Sequence, residues 1–174
     1  MSANALRAKV IFLLGDDVST DAIYPGKHMA TVLPSETPQY AFADHAELHQ
    51  KLRSRRRAQE SVIVAGANFG CGSSREQAAS CLKGYNLTIV ARGFARIFRQ
   101  NSVNLGLRTV VCRNIEASEG DELEIGEDEI LNRTTGKLFA QEPLPAAQRA
   151  IVAAGGLIPY TRLRLVQKHS AKYD

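Results

Sequence analysis

The stretch Ser61-Val62-Ile63-Val64-Ala65-Gly66-Ala67-Asn68-Phe69-Gly70-Cys71-Gly72-Ser73-Ser74-Arg75-Glu76-Gln77-Ala78-Ala79-Ser80-Cys81-Leu82-Lys83-Gly84 decides the fold. Ser61–Ala65 is rich in β-branched residues and reads as a strand. Residues 77–83 suit a helix, with Gly84 as its stop. A glycine-rich loop joins the two. Working outward, Leu87–Ala91 reads as a second strand, residues 94–105 as a helix ended by Gly106, and residues 108–112 as a third strand. Alternating strands and helices are the α/β signature. Upstream, residues 10–14 form an apolar run that stops at Gly15-Asp16-Asp17, a buried strand and turn. Residues 15–38 have no period and read as a long loop, the kind that carries function in compact domains. Residues 40–52 suit an amphipathic helix. Downstream, residues 121–125, 128–131 and 137–140 read as a small antiparallel set, and residues 145–154 as a last helix closed by Gly155-Gly156. No repeat and no linker interrupts the chain, so residues 1–174 are expected to form one domain.

The composition fits that picture. A chain of 174 residues with 44% hydrophobic residues can bury one real core. A net charge of +4 favours acidic ligands or an acidic partner face but is too small to imply nucleic acid. Part of it sits in Lys51-Leu52-Arg53-Ser54-Arg55-Arg56-Arg57, which reads as a solvated face or, more sharply, a docking or anion patch. The run has no aromatics, so a single-stranded nucleic-acid platform is poorly supported. Three widely spaced cysteines, Cys71, Cys81 and Cys112, make neither a disulfide framework nor a CxxC metal site. The first residues lack a signal peptide's apolar run, and no stretch approaches the ~20 apolar residues of a membrane span. The expectation is a reduced, cytoplasmic protein.

The chemistry concentrates at Asn68-Phe69-Gly70-Cys71-Gly72-Ser73-Ser74-Arg75-Glu76. Gly70 and Gly72 allow backbone conformations closed to other residues. Ser73 or Ser74 is a candidate N-cap, and Glu76 completes a capping box with Ser73. Backbone N–H groups at a helix start attract anions, and Arg75 adds a bidentate donor for a carboxylate or phosphate. Two nucleotide motifs fail. No lysine follows Gly72, as a P-loop requires, and Arg75 stands where a dinucleotide fingerprint needs its third glycine. Alone, the loop also fits a plain capped turn, and Asp21 alone fits a turn aspartate.

Four ordered segments carry a family resemblance. Gly15-Asp16-Asp17-Val18-Ser19-Thr20-Asp21-Ala22-Ile23-Tyr24-Pro25-Gly26 resembles the GDNxxTDxIxPG segment of the aconitase superfamily's swivelling domain. Residues 68–76 resemble NFGCGSSRE, typical of isopropylmalate dehydratase small subunits. Residues 93–101, Gly93-Phe94-Ala95-Arg96-Ile97-Phe98-Arg99-Gln100-Asn101, resemble its SFARIFxxN segment, and Gly155-Gly156-Leu157-Ile158-Pro159-Tyr160 its C-terminal end. The resemblance implies a three-layer β/β/α swivelling domain. It implies reversible dehydration and rehydration of a hydroxy dicarboxylic acid, in which the hydroxyl moves to the neighbouring carbon. It places a [4Fe-4S] cluster on a separate large subunit and no metal on this chain. It makes Ser73 the base that removes the carbon-bound proton, has Arg75 bind a substrate carboxylate with Ser74 beside it, and sets Asp21 in the same site. A serine hydroxyl is a poor base in water, so it needs its alkoxide stabilised by nearby N–H groups and a guanidinium in a dry site.

The loop after this segment is where family members meet the variable part of the substrate. Here that means His28, Met29, Ala30 and Thr31, then Val32 and Leu33. Homoaconitase-like members place an arginine at the position of Ala30 to bind a third carboxylate. Met29 and Ala30 suit an alkyl group instead, whose burial favours binding by about 1.5–3 kcal/mol. An unpaired carboxylate there would be strongly disfavoured. Lys27 is the nearby cation that would change this reading if it turned inward. Gln77 stands where many relatives have histidine, and the Val32–Gln39 stretch, with Pro34 and Pro38, is atypical. A 2,3-dimethylmalate or methylmalate/citraconate hydro-lyase therefore fits nearly as well as 3-isopropylmalate. The competing non-enzyme reading is an aconitase-like module that binds a partner or RNA.

Overall fold

The computed structural model describes residues 5–54 and 60–170. Seven strands form one sheet in the order β4-β3-β2-β1-β5-β6-β7. They are β1 (Leu6–Leu13), β2 (Ser61–Ala65), β3 (Leu87–Ala91), β4 (Arg108–Val111), β5 (Glu122–Ile125), β6 (Glu129–Asn132) and β7 (Leu138–Ala140). The first four run parallel. The last three are antiparallel and join the same sheet through β1–β5.

Strands β2 and β3 are buried at every position, as their unbroken apolar sequences require of strands covered on both faces. Their side chains alternate between two cores. Ile63, Ala65, Ile89 and Ala91 pack with Leu48, Leu52, Ala78, Leu82 and Phe98 on the helical face. Val62, Val64, Val90 and Val110 pack with Leu123, Ile125 and Ile130 on the other. The sheet thus curls so that β5 and β6 lie over the parallel strands, giving the β/β/α layering. The chain after β7 closes the curl, as Glu142 N–H donates to the Val111 carbonyl at 2.8 Å. A register shift in β1 between Val10 and Phe12 swaps that strand's faces. Val10 therefore lies in one core and Phe12 in the other, as expected of an inserted residue.

The helices are α1 (Thr20–Ile23), α2 (Ala46–Ser54), α3 (Glu76–Lys83), α4 (Arg96–Leu105), α5 (Ala146–Ala153) and α6 (Leu157–Ser170). Four differ from the sequence expectations. The 15–38 loop contains α1 and a 3-10 turn at Gly26–His28. The helix expected from Tyr40 starts only at Ala46, after a 3-10 turn at Thr37–Tyr40. Phe94 and Ala95 do not belong to α4. The Phe69 N–H donates to the Gly93 carbonyl at 3.0 Å, and the Ala95 N–H donates to the Phe69 carbonyl at 2.9 Å, which holds them extended. Helix α6 was not expected at all, because its apolar residues and arginines are spread around its whole circumference. Its proline, Pro159, sits in the first turn, where no N–H is needed.

In the basic run, Lys51 pairs with Glu119 and lies over the Phe12 ring. An internal partner thus takes one charge of the supposed docking patch. Arg55, Arg56 and Arg57 lie outside the described residues. No helix among the described residues is long and apolar enough to cross a membrane.

Candidate active site

The site lies beyond the carboxyl ends of β1, β2 and β3, the end at which open parallel sheets bind ligands. Backbone hydrogen bonds lace two loops together there. Asp17 N–H donates to Ala67 O at 2.9 Å, Gly70 N–H to Val18 O at 2.7 Å, and Thr20 N–H to Cys71 O at 2.8 Å. Gly70 has φ +81°, and any Cβ on it would run into the Phe98 ring, so no other residue fits. Gly72 has φ +90° and turns the chain out towards Ser73.

This lacing overturns the expected capping box. Residues 71–74 stay outside the helix, α3 begins at Glu76, and its N-cap is Arg75, which makes no side-chain cap. The Ser73 hydroxyl lies 3.3 Å from Thr20 Oγ1, which also donates to the Ser73 carbonyl at 3.0 Å. Ser73 and Ser74 are exposed.

Arg75 folds back across the loops. Its Nη1 pairs with Asp21 Oδ1 and donates to the Tyr24 carbonyl at 3.2 Å. Asp21 Oδ1 also accepts the Gly26 N–H at 3.0 Å. The Arg75 guanidinium, helped by that N–H, holds the Asp21 carboxyl below the usual aspartate range. Arg75 is the more enclosed partner, its side chain 20% exposed against 64% for Asp21. Residues 54 apart in sequence are thus brought together.

The substrate-loop residues connect to this cluster through Tyr24. The residue is fully buried, and its hydroxyl shares one proton between the carbonyls of His28 at 3.1 Å and Thr31 at 3.2 Å. Burial pushes the phenol's pKa up, so it stays a donor. His28 stacks on Tyr40 with ring centroids 4.1 Å apart. Met29, Val32 and Leu33 are exposed. Lys27 pairs with Asp44 at 2.5 Å, so it does not turn inward.

Two residues here escaped the sequence reading. Thr20 stands beside Asp21 in the same segment, and that adjacency was the available signal. Tyr24 resembles any buried aromatic until its two ends are seen to hold different loops.

The cysteines do not make a cluster-binding set. Cys81 is in α3 on the helical core and Cys112 is in the other core. Burial raises both thiols. Cys71 lies in the glycine loop, where its Sγ contacts the Asp17 carbonyl. Among the described residues no group of three or more His, Cys, Asp or Glu is placed to hold a metal ion.

A curled sheet with this guanidinium–carboxylate–hydroxyl cluster at its parallel end defines a β/β/α domain with a candidate site for an anionic ligand. The aconitase C-terminal domain family matches residues 20–114. The 3-isopropylmalate dehydratase small subunit of Methanosarcina acetivorans is 40% identical over 153 residues, covering 85% of this chain and 91% of that protein. The methanogen homoaconitase small subunit of Methanocaldococcus jannaschii is 39% identical, covering 86% and 88%. The crystal structure of a 3-isopropylmalate dehydratase (leuD) from the same organism superposes with a TM-score of 0.84 at 36% identity, covering 96% of this chain and 99% of that one. The chain belongs to the aconitase C-terminal domain family, among the small subunits of the 3-isopropylmalate dehydratase type.

Proposed function

We propose that this chain is the small subunit of a heteromeric hydro-lyase that interconverts 2- and 3-isopropylmalate by dehydration and rehydration, a step of leucine biosynthesis. Its partners are a large subunit and a small dicarboxylic acid, with neither nucleic acid nor membrane involved. The whole chain acts as one swivelling domain in the cytoplasm. The observation that carries the reading is Arg75 held by Asp21 and the Tyr24 carbonyl beside an exposed Ser73 hydroxyl.

In this reading Ser73 is the base that removes the carbon-bound proton. Arg75 binds a substrate carboxylate, for which its Asp21 contact fixes the direction of approach. Ser74 lies beside that carboxylate. His28, Met29, Ala30 and Thr31 form the wall facing the variable substituent. A serine alkoxide needs a dry site, and the exposure of Ser73 leaves the covering surface to the partner. That partner also carries the [4Fe-4S] cluster, whose Lewis acidity assists loss of the hydroxyl. The cysteines of this chain take no part.

The test is reconstitution with the cognate large subunit. Isomerase activity on 3-isopropylmalate is expected, and Ser73→Ala is expected to lower kcat by about 10²–10⁴-fold with KM little changed. Normal turnover in that variant removes Ser73 from the chemistry. A homoaconitase role is the second reading, since one relative bears that name. Ala30 speaks against it, because no cation on this loop is left to receive a third carboxylate once Lys27 pairs with Asp44. A panel of alkylmalates and homocitrate on the same complex decides between them.

A further inference from the structure

Thr20 is buried, with a residue exposure of 2%, yet its hydroxyl meets the one exposed hydroxyl proposed to do chemistry. Its backbone is pinned by the Cys71 carbonyl at 2.8 Å, and Ser19 caps the short helix it opens, accepting from Ala22 N–H at 3.1 Å. Thr20 Oγ1 therefore has little freedom to move. It reaches two atoms of the same residue, the Ser73 carbonyl at 3.0 Å and Ser73 Oγ at 3.3 Å. A hydroxyl has one proton to donate and two lone pairs with which to accept. With Ser73 neutral, the pair is fully satisfied as a short chain. Ser73 O–H donates to Thr20 Oγ1, and Thr20 O–H donates to the Ser73 carbonyl.

We infer that Thr20 is a positioning residue whose hydroxyl proton turns from the Ser73 carbonyl to Ser73 Oγ when that oxygen becomes an alkoxide. The inference rests on Ser73 being the base. The proton lost by Ser73 passes to water before the substrate closes the site, and Thr20 keeps its own throughout. Turning the rotor exchanges a neutral hydrogen bond for a charge-assisted one, which is about twice as strong. When the alkoxide takes the substrate's carbon-bound proton, Ser73 is neutral again and Thr20 turns back. Nothing larger than one hydroxyl hydrogen moves, so the site stays preorganised.

The experiment uses the reconstituted complex, with Thr20→Val, Thr20→Ala and Thr20→Ser compared across pH and Ser73→Ala as reference. A charge-assisted bond of the usual strength predicts that Thr20→Val and Thr20→Ala lower kcat about 10–100-fold with KM within about twofold. The alkaline-rising limb of kcat/KM should move up by about one to two pH units. Thr20→Ser should restore both the rate and the limb. A limb that stays in place in Thr20→Val and Thr20→Ala, whatever their rates, overturns the inference, and so does a Thr20→Ser variant as impaired as Thr20→Val. Retained activity in Ser73→Ala would instead bring down the assignment of the base. The two failures are thus told apart.

Discussion

The two halves of the site are built differently. The Ser73–Arg75 end is laced by backbone hydrogen bonds between two loops and backed by Gly70, where no side chain fits. The loop from His28 to Leu33 is held by the Tyr24 hydroxyl and by the stacking of His28 on Tyr40, and it exposes Met29, Val32 and Leu33. The first half suits chemistry that is common to a family and sensitive to sub-ångström placement. The second suits recognition of a substituent, where one side chain can change without disturbing the frame. Exposed loops tolerate such change better than the packed elements they join.

Predictions follow the same division, from the largest effect to the smallest. In the laced half, Gly70→Ala should destabilise the chain by about 2–4 kcal/mol, since it combines a left-handed φ with overlap on Phe98. Chemical denaturation of the isolated chain measures this, and an unchanged midpoint would mean the lacing is not rigid. Arg75→Lys should raise KM about 10–100-fold, because a point cation cannot replace a planar fork that already serves Asp21 and Tyr24. If KM stays put while kcat falls, the guanidinium acts on the reaction rather than on the substrate carboxylate. In the second half, Ala30→Arg should reduce kcat/KM for an alkylmalate by about 10-fold and improve acceptance of a tricarboxylate, with stability within about 0.5 kcal/mol. An unaltered preference ratio would move specificity away from this loop.

The smallest effect is electrostatic. Asp21 has a depressed folded pKa, so its pairing is complete above the ordinary aspartate value and is lost as pH falls through the lower folded one. The side-chain NMR signals of Arg75 should therefore hold steady from neutral pH down to about pH 4 and change only below it. In Asp21→Asn that acid transition should vanish.

The strand–loop–helix core was legible because its cues are local. Unbroken β-branched runs, a helix pattern and glycine stops fixed Ser61–Ala65, α3 and β3 to within a residue. The site was legible chiefly through motif resemblance, since Asp21 or Ser73 alone also fits an ordinary turn or cap. The serine cap was misread because sequence cannot reveal that Thr20 N–H would bond the Cys71 carbonyl and tie the residues before α3 to the other loop, outside the helix. Helix α6 was missed because it shows no amphipathic period and has a proline near its start.

By itself, then, the sequence determined the order of the strands and of the helices between β2 and β4, the glycine positions and the stock of reactive side chains. These depend on backbone sterics and on patterns within a few residues. The tertiary structure alone decided that Arg75 reaches Asp21 and Tyr24, that Thr20 faces Ser73, and that Lys27 is taken up by Asp44. Such pairings form only when the parallel strands align their ends, and that alignment comes from long-range packing of two cores, which no local pattern encodes.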